Sequence, residues 1–233
     1  MNIIAKNLIK KYGNFQLDLP ELKINSKDIF GLVGNNGAGK TTFLRLCLDL
    51  IEAKEGAVLS GGVNVAKNED WKEYTGAYLD KGFLIDFLTP EEYFDFVASL
   101  HKMTKNDVEK SINRFELFFN GNILEKGKYI RELSTGNQNK VGIAAAMIFY
   151  PKVLILDEPF ANLDPTSRQV LSKLLIEMNH RHGTTMIISS HDLDNVVDVC
   201  SRIAILEDGK IVRDIEKTEL TYEELKNYFK LKV

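Results

Sequence analysis

The chain has 233 residues, 44% of them hydrophobic and 27% charged, enough to bury most of its unfolded surface without disulfide or metal staples; disordered, collagen-like and coiled-coil classes are excluded. Its formal net charge of -3, from 30 basic and 33 acidic side chains, offers no electrostatic footprint for nucleic acid. The most apolar uncharged stretch, Val141 to Pro151, is far shorter than the roughly 20 residues that span a bilayer. Residues 1–6 have none of the marks of a signal peptide, so a soluble intracellular chain is expected, with Cys47 and Cys200 as reduced core residues.

In chain order, Ile29-Phe30-Gly31-Leu32-Val33 reads as a buried strand and Thr41 to Leu50 as the helix that follows. The stretch from about 83 to 131 has a different, helical texture. Thr89-Pro90-Glu91-Glu92 opens one helix with a capping box and Pro at the first helical position, and Thr104 to Asp107 opens another. Val153-Leu154-Ile155-Leu156 and Thr185-Met186-Ile187-Ile188-Ser189 are continuous apolar strands, and Asp164-Pro165 starts a helix to about His180. Asp208-Gly209 marks a two-residue hairpin between Ile203–Leu206 and Lys210–Val212. The alternation predicts an α/β fold with a mostly parallel sheet and an inserted helical subdomain.

Gly34-Asn35-Asn36-Gly37-Ala38-Gly39-Lys40-Thr41, followed by Thr42, matches the P-loop pattern of Gly, four residues, then Gly-Lys-Thr. The glycines let successive N–H groups turn toward one anion, and the new helix adds its positive end. Lys40 can then reach the β- and γ-phosphates, while Thr41 offers a hydroxyl to Mg²⁺. Asp157 ends an apolar strand where open α/β sheets bind ligands, and it supplies a second Mg²⁺ group. Glu158 follows directly and can orient and deprotonate water. These residues predict a chain that binds a nucleoside triphosphate with Mg²⁺ and hydrolyses it.

Leu133-Ser134-Thr135-Gly136-Asn137 resembles the Leu-Ser-Gly-Gly-Gln signature of the ATP-binding subunits of ABC transporters, and it lies between the P-loop and Asp157 as in that family. Asp157-Glu158-Pro159 resembles the Walker B end, Ala161-Asn162-Leu163-Asp164 the D-loop, and Ser190-His191-Asp192 the switch-histidine segment. Tyr12 stands where the family places an adenine-stacking aromatic, and Asp80 falls on the Gln position of the Q-loop. Thr135, Asn137 and Asp80 depart from the family pattern, while Ser134 and Gly136 keep the contact positions.

The resemblance implies one ABC-type ATPase domain over 1–233. Residues 1–82 and 132–233 would form a P-loop NTPase core with an N-terminal antiparallel β portion, and about 83–131 a helical subdomain with the signature at its end. It implies ATP and Mg²⁺ as cofactors, with Thr41, Asp157 and Asp80 toward the metal. Glu158, His191 and Asp80 would be catalytic, and Tyr12, Gly34–Thr42, Ser134, Gly136 and Asn137 would bind nucleotide. Its partners would be a second ABC ATPase subunit, packed head-to-tail in a homo- or heterodimer, and an integral-membrane permease, with no nucleic acid. The chain would then lie on the cytoplasmic face of a membrane, in the first instance a bacterial inner membrane, and the acidic Q-loop weighs toward export. The alternatives are a soluble ABC-type ATPase, for example in cluster assembly, and a non-hydrolysing partner in a heterodimer. Phe83-Leu84-Ile85-Asp86-Phe87-Leu88 is either a docking surface for the permease or core of the helical subdomain.

Overall fold

The computed structural model describes residues 1–124 and 127–218. Residues 125–126 of the expected helical segment and 219–233 of the expected single domain lie outside the described residues. Two ten-residue strands, β1 (Ile3–Tyr12) and β2 (Phe15–Ile24), pair antiparallel. In β1 the buried positions are Ile3, Ala5 and Leu8, which breaks the two-residue period of a strand. A bulge is the cause: the register against the strand over Glu55–Ser60 shifts between Lys6 and Ile9, and Asn7 takes φ 46°.

The apolar run 29–33 forms β3 (Ile29–Val33), buried at every residue. The loop after it leads into α1 (Lys40–Cys47), which stops short of the expected Leu50 because Asp49 turns into the left-handed region at φ 51°. Next come β4 (Glu55–Ser60) and β5 (Val63–Asn64), which complete a four-stranded antiparallel sheet of order β2-β1-β4-β5. This is the N-terminal antiparallel portion. β6 (Thr75–Tyr78) then enters a second sheet.

The two capping boxes form as the sequence predicts. Thr89 accepts from Glu92 N–H, and Glu92 accepts from Thr89 N–H at 2.8 Å, ahead of α2 (Pro90–Leu100). Thr104 and Asp107 do the same for α3 (Lys105–Asn113). That helix ends at Asn113, and Phe115 leads into the short α4 (Glu116–Phe119). Phe94, Phe115, Phe118 and Phe119 are buried together beneath these helices.

Ser134 caps α5 (Thr135–Met147), whose residues 140–147 are all buried. It lies so close to β6 that a Cβ on Gly76 would sit 2.0 Å from the Ala146 carbonyl oxygen, and one on Gly142 would sit 2.1 Å from the Tyr78 ring. The remaining elements are β7 (Val153–Leu156), α6 (Pro165–His182), β8 (Thr185–Ser190), α7 (Asp194–Val197), β9 (Arg202–Glu207) and β10 (Lys210–Glu216). Asp208 and Gly209, at φ 44° and 78°, make the tight turn between the last two strands.

The larger sheet has the order β10-β9-β3-β8-β7-β6, parallel except for β10. Phe30, Leu32, Val153, Ile155 and Ile187 face the antiparallel sheet and α1, while Ile29, Val33, Leu154, Leu156 and Ile188 face α5 and α6. Both faces are covered, which is why its inner strands read as unbroken apolar runs rather than alternating ones. The site lies where β3, β7 and β8 end side by side.

Candidate functional site

The loop after β3 is shaped by its glycines. Gly37 and Gly39 sit at φ 85° and 110°, and a Cβ on Gly34 would lie 2.3 Å from the Leu206 carbonyl oxygen, so a side chain there would displace β9. Lys40, at the start of α1, is buried and folds back over this loop. Its ammonium donates to the Gly34 carbonyl at 2.6 Å and to Asn35 at 3.3 Å, and pairs with Glu158 at 3.3 Å. A cavity of about 240 Å³ opens above, walled by residues 35–37 and 39–42 together with Phe15 and Glu158.

Asp157 leaves β7 with its N–H bonded to Tyr78 O, and its carboxylate takes two hydroxyls. One is from Thr41, at 2.5 Å. The other is from Ser189 at the end of β8, a residue that accepts in turn from Glu158 N–H at 2.9 Å. Thr41 and Asp157 thus present adjacent hard oxygen donors. That set fits Mg²⁺, which takes one or two protein oxygens and completes its shell with phosphate and water. No cluster of three or more His, Cys, Asp or Glu that could hold a metal alone forms among the described residues. Glu158 itself sits at φ 48°, a region uncommon outside glycine, and from there reaches both Lys40 and His191. The His191 ring nitrogen Nδ1 lies 2.8 Å from the second Glu158 oxygen.

Thus Lys40, Thr41, Asp157, Glu158 and His191, drawn from positions 40 to 191 of the sequence, form one network joined through Ser189. Five other residues predicted for the site, Asp80, Tyr12, Ser134, Gly136 and Asn137, lie outside this network. Asp80 caps the turn 81–83 by accepting from Gly82 N–H at 2.7 Å, and it is exposed rather than turned onto the Thr41–Asp157 pair. Tyr12 is 48% exposed, with the Lys10 ammonium 5.1 Å from its ring centroid. Phe15, opposite Tyr12 across the hairpin, is the aromatic on the cavity wall, packed so near Gly39 that a Cβ there would sit 2.8 Å from its ring. Ser134, Gly136 and Asn137 lie at the N-terminal end of α5, with Ser134 exposed and the other two half-buried.

Two residues at this site carry no motif that marks them for it in the sequence, Ser189 in the network and Phe15 on the cavity wall. Ser189 is one small polar residue at the end of an apolar run, and only the pairing of β7 with β8 sets it against Asp157. Phe15 carries no motif at all.

Comparison with known proteins places this geometry in context. The family model described as ABC transporter matches residues 17–161. The chain is 32% identical over 221 residues to the bacitracin transport ATP-binding protein BcrA of Enterococcus faecalis, covering 94% of this chain and 70% of that protein. It is 31% identical over 224 residues to the probable sulfate/thiosulfate import ATP-binding protein CysA of Chlorella vulgaris, covering 95% and 94%. Among solved structures it shares its fold, at a TM-score of 0.80 and 23% identity over 92% of this chain and 98% of the other, with a dimeric ATP-binding cassette in a post-hydrolysis state bound to ADP and Pi.

Proposed function

The chain belongs to the ABC transporter family, and on that premise we propose that it is the ATP-binding and ATP-hydrolysing subunit that powers transport across a membrane through a separate permease, by ATP-dependent head-to-tail dimerisation. One observation carries the reading: the P-loop lysine, the hydroxyl–carboxylate pair and the Glu158–His191 pair converge from three neighbouring strand ends on one cavity.

Phosphoryl transfer asks for position and charge rather than covalent chemistry. Lys40 and the loop amides hold the β- and γ-phosphates. Thr41 and Asp157 would hold Mg²⁺, which would supply positive charge against the phosphate oxygens. Glu158 takes the proton of the attacking water, and His191, bonded to Glu158 at Nδ1, keeps its other ring nitrogen for the γ-phosphate. Ser134 and the Gly136 N–H of a second copy close the far side of the phosphate. That arrangement is isologous, so it closes with two-fold symmetry. Asp80 would serve the Mg²⁺ shell or the attacking water from the Q-loop position by releasing Gly82 N–H, which its carboxylate accepts in this structure.

The segment of about 83–131 is read as a helical subdomain within one ATPase domain, and it carries the permease contact. Phe83 and Phe87, 48% and 60% exposed, are the proposed docking residues, whereas Leu84 packs against the core. No helix among the described residues is long and apolar enough to cross a membrane, in keeping with a peripheral subunit on the cytoplasmic face of, in the first instance, a bacterial inner membrane.

Affinity capture of the tagged chain from detergent-solubilised membranes of its host tests the transport reading. The expected result is a multi-spanning membrane protein that stimulates ATP turnover and is lost on Phe87→Asp while basal turnover stays unchanged. Recovery only with cytosolic proteins would contradict it.

A further inference from the structure

The first two turns of α5 do more than present Ser134. Gly136, Asn139 and Lys140 stand at i, i+3 and i+4, on one helix face, and each meets the segment 161–164. At Gly136 the two backbones approach so closely that a Cβ would lie 2.7 Å from the Asn162 carbonyl oxygen. Asn139 Nδ2 donates to the Ala161 carbonyl at 3.2 Å. The buried Lys140 ammonium lies 3.8 Å from Asp164 and 5.6 Å from the Phe118 ring centroid.

Asn139 is the pivot of this contact. Its Oδ1 accepts from the Tyr78 hydroxyl at 2.8 Å, which fixes the amide so that Nδ2 must face Ala161. Tyr78 is the last residue of β6, two positions before Asp80, and its ring lies flat on Gly142 one turn further along α5. A continuous hydrogen-bonded path therefore runs from the end of β6, through the helix, to the loop after Glu158.

We propose that Asn139 is a positioning residue that locks 161–164 onto the signature helix, so that the loop after Glu158 and the signature that closes a partner's nucleotide are carried as one block. The proposal rests on the head-to-tail reading above for its effect on turnover, but the lock itself is a property of the single chain. Neither Asn139 nor Tyr78 touches the cavity, so neither belongs to the reacting groups. It also gives Gly136 a role in its own chain, since any side chain there would push the loop away.

Asn139→Asp keeps an acceptor for Tyr78 but turns a carboxylate oxygen toward the Ala161 carbonyl. In the full chain, hydrogen–deuterium exchange of peptides spanning 159–164 is expected to quicken about tenfold, the scale set by one lost hydrogen bond, while peptides from 34–41 stay unchanged. ATP turnover is expected to show kcat lowered about tenfold with KM within about threefold, since binding to the P-loop is untouched. Tyr78→Phe, a milder change that only frees the amide to rotate, is expected to move exchange in the same direction by less. Unaltered exchange at 159–164 in both variants would overturn the proposal, as would a loss confined to KM. A wild-type chain without ATP turnover would refute the transport ATPase reading instead, and the exchange experiment would still decide the lock.

Discussion

Glu158 is held by three constraints at once: its N–H on Ser189, one carboxylate oxygen near Lys40 and the other on His191. Together they hold it in a backbone conformation that few side chains adopt. Glu158→Gln keeps the shape and removes the base, so turnover measured by phosphate release is expected to fall about 10²–10⁴-fold while nucleotide binding persists. Unchanged turnover would remove Glu158 from that role. Lys40→Ala removes the buried cation, and nucleotide affinity measured by calorimetry is expected to drop about 10–100-fold, the scale of a charged hydrogen bond. Lys40, Thr41, Asp157 and Glu158 were legible in the sequence because their spacing follows from the loop and the strand end that carry them. Ser189 was not, since it reaches Asp157 only through the pairing of β7 with β8, and Phe15 was not, since it reaches the loop through packing against Gly39.

The elements rest on local chemistry that can be removed piece by piece. Thr89→Ala deletes the hydroxyl that caps α2 and is expected to lower stability by about 1 kcal/mol in denaturant unfolding. Gly76→Ala places a methyl against the Ala146 carbonyl and is expected to lower stability by about 1–3 kcal/mol through overpacking of α5 on β6. At the start of α6 the bonds from Ser167 hold the Asp164 carboxyl below its ordinary range, followed by a lesser pull from Lys140. A depressed carboxyl stabilises the fold fully above its unfolded pKa and loses that contribution as pH falls through the lower folded one. An acid titration followed by circular dichroism should therefore show Asp164→Asn unfolding with a shallower pH dependence than the wild type. Both capping boxes and the final hairpin turn could be read from sequence because each is decided by residues within four positions. The bulge in β1 could not, since Asn7 leaves the strand period only when β4 is beside it. The early end of α1 was hidden for a related reason: Leu48 and Leu50 continue the apolar pattern while the backbone turns at Asp49.

At the scale of the whole molecule, a parallel sheet buried on both faces places three strand ends at one cavity, and the signature helix presents Ser134 to solvent elsewhere on the surface. On the proposed head-to-tail arrangement, a single copy would carry the phosphate-holding half of one site and the closing half of another. The order of the motifs along the chain showed the fold class, whereas the exposure of Phe83 and Phe87 beside a buried Leu84 needed three dimensions. The central claim is that ATP joins two copies of this chain. Light scattering of Glu158→Gln with Mg²⁺, with and without ATP, tests it most directly. A mass that doubles when ATP is added and returns to the monomer when ATP is removed is the expected result; a variant that binds ATP yet stays monomeric at every concentration would contradict the account.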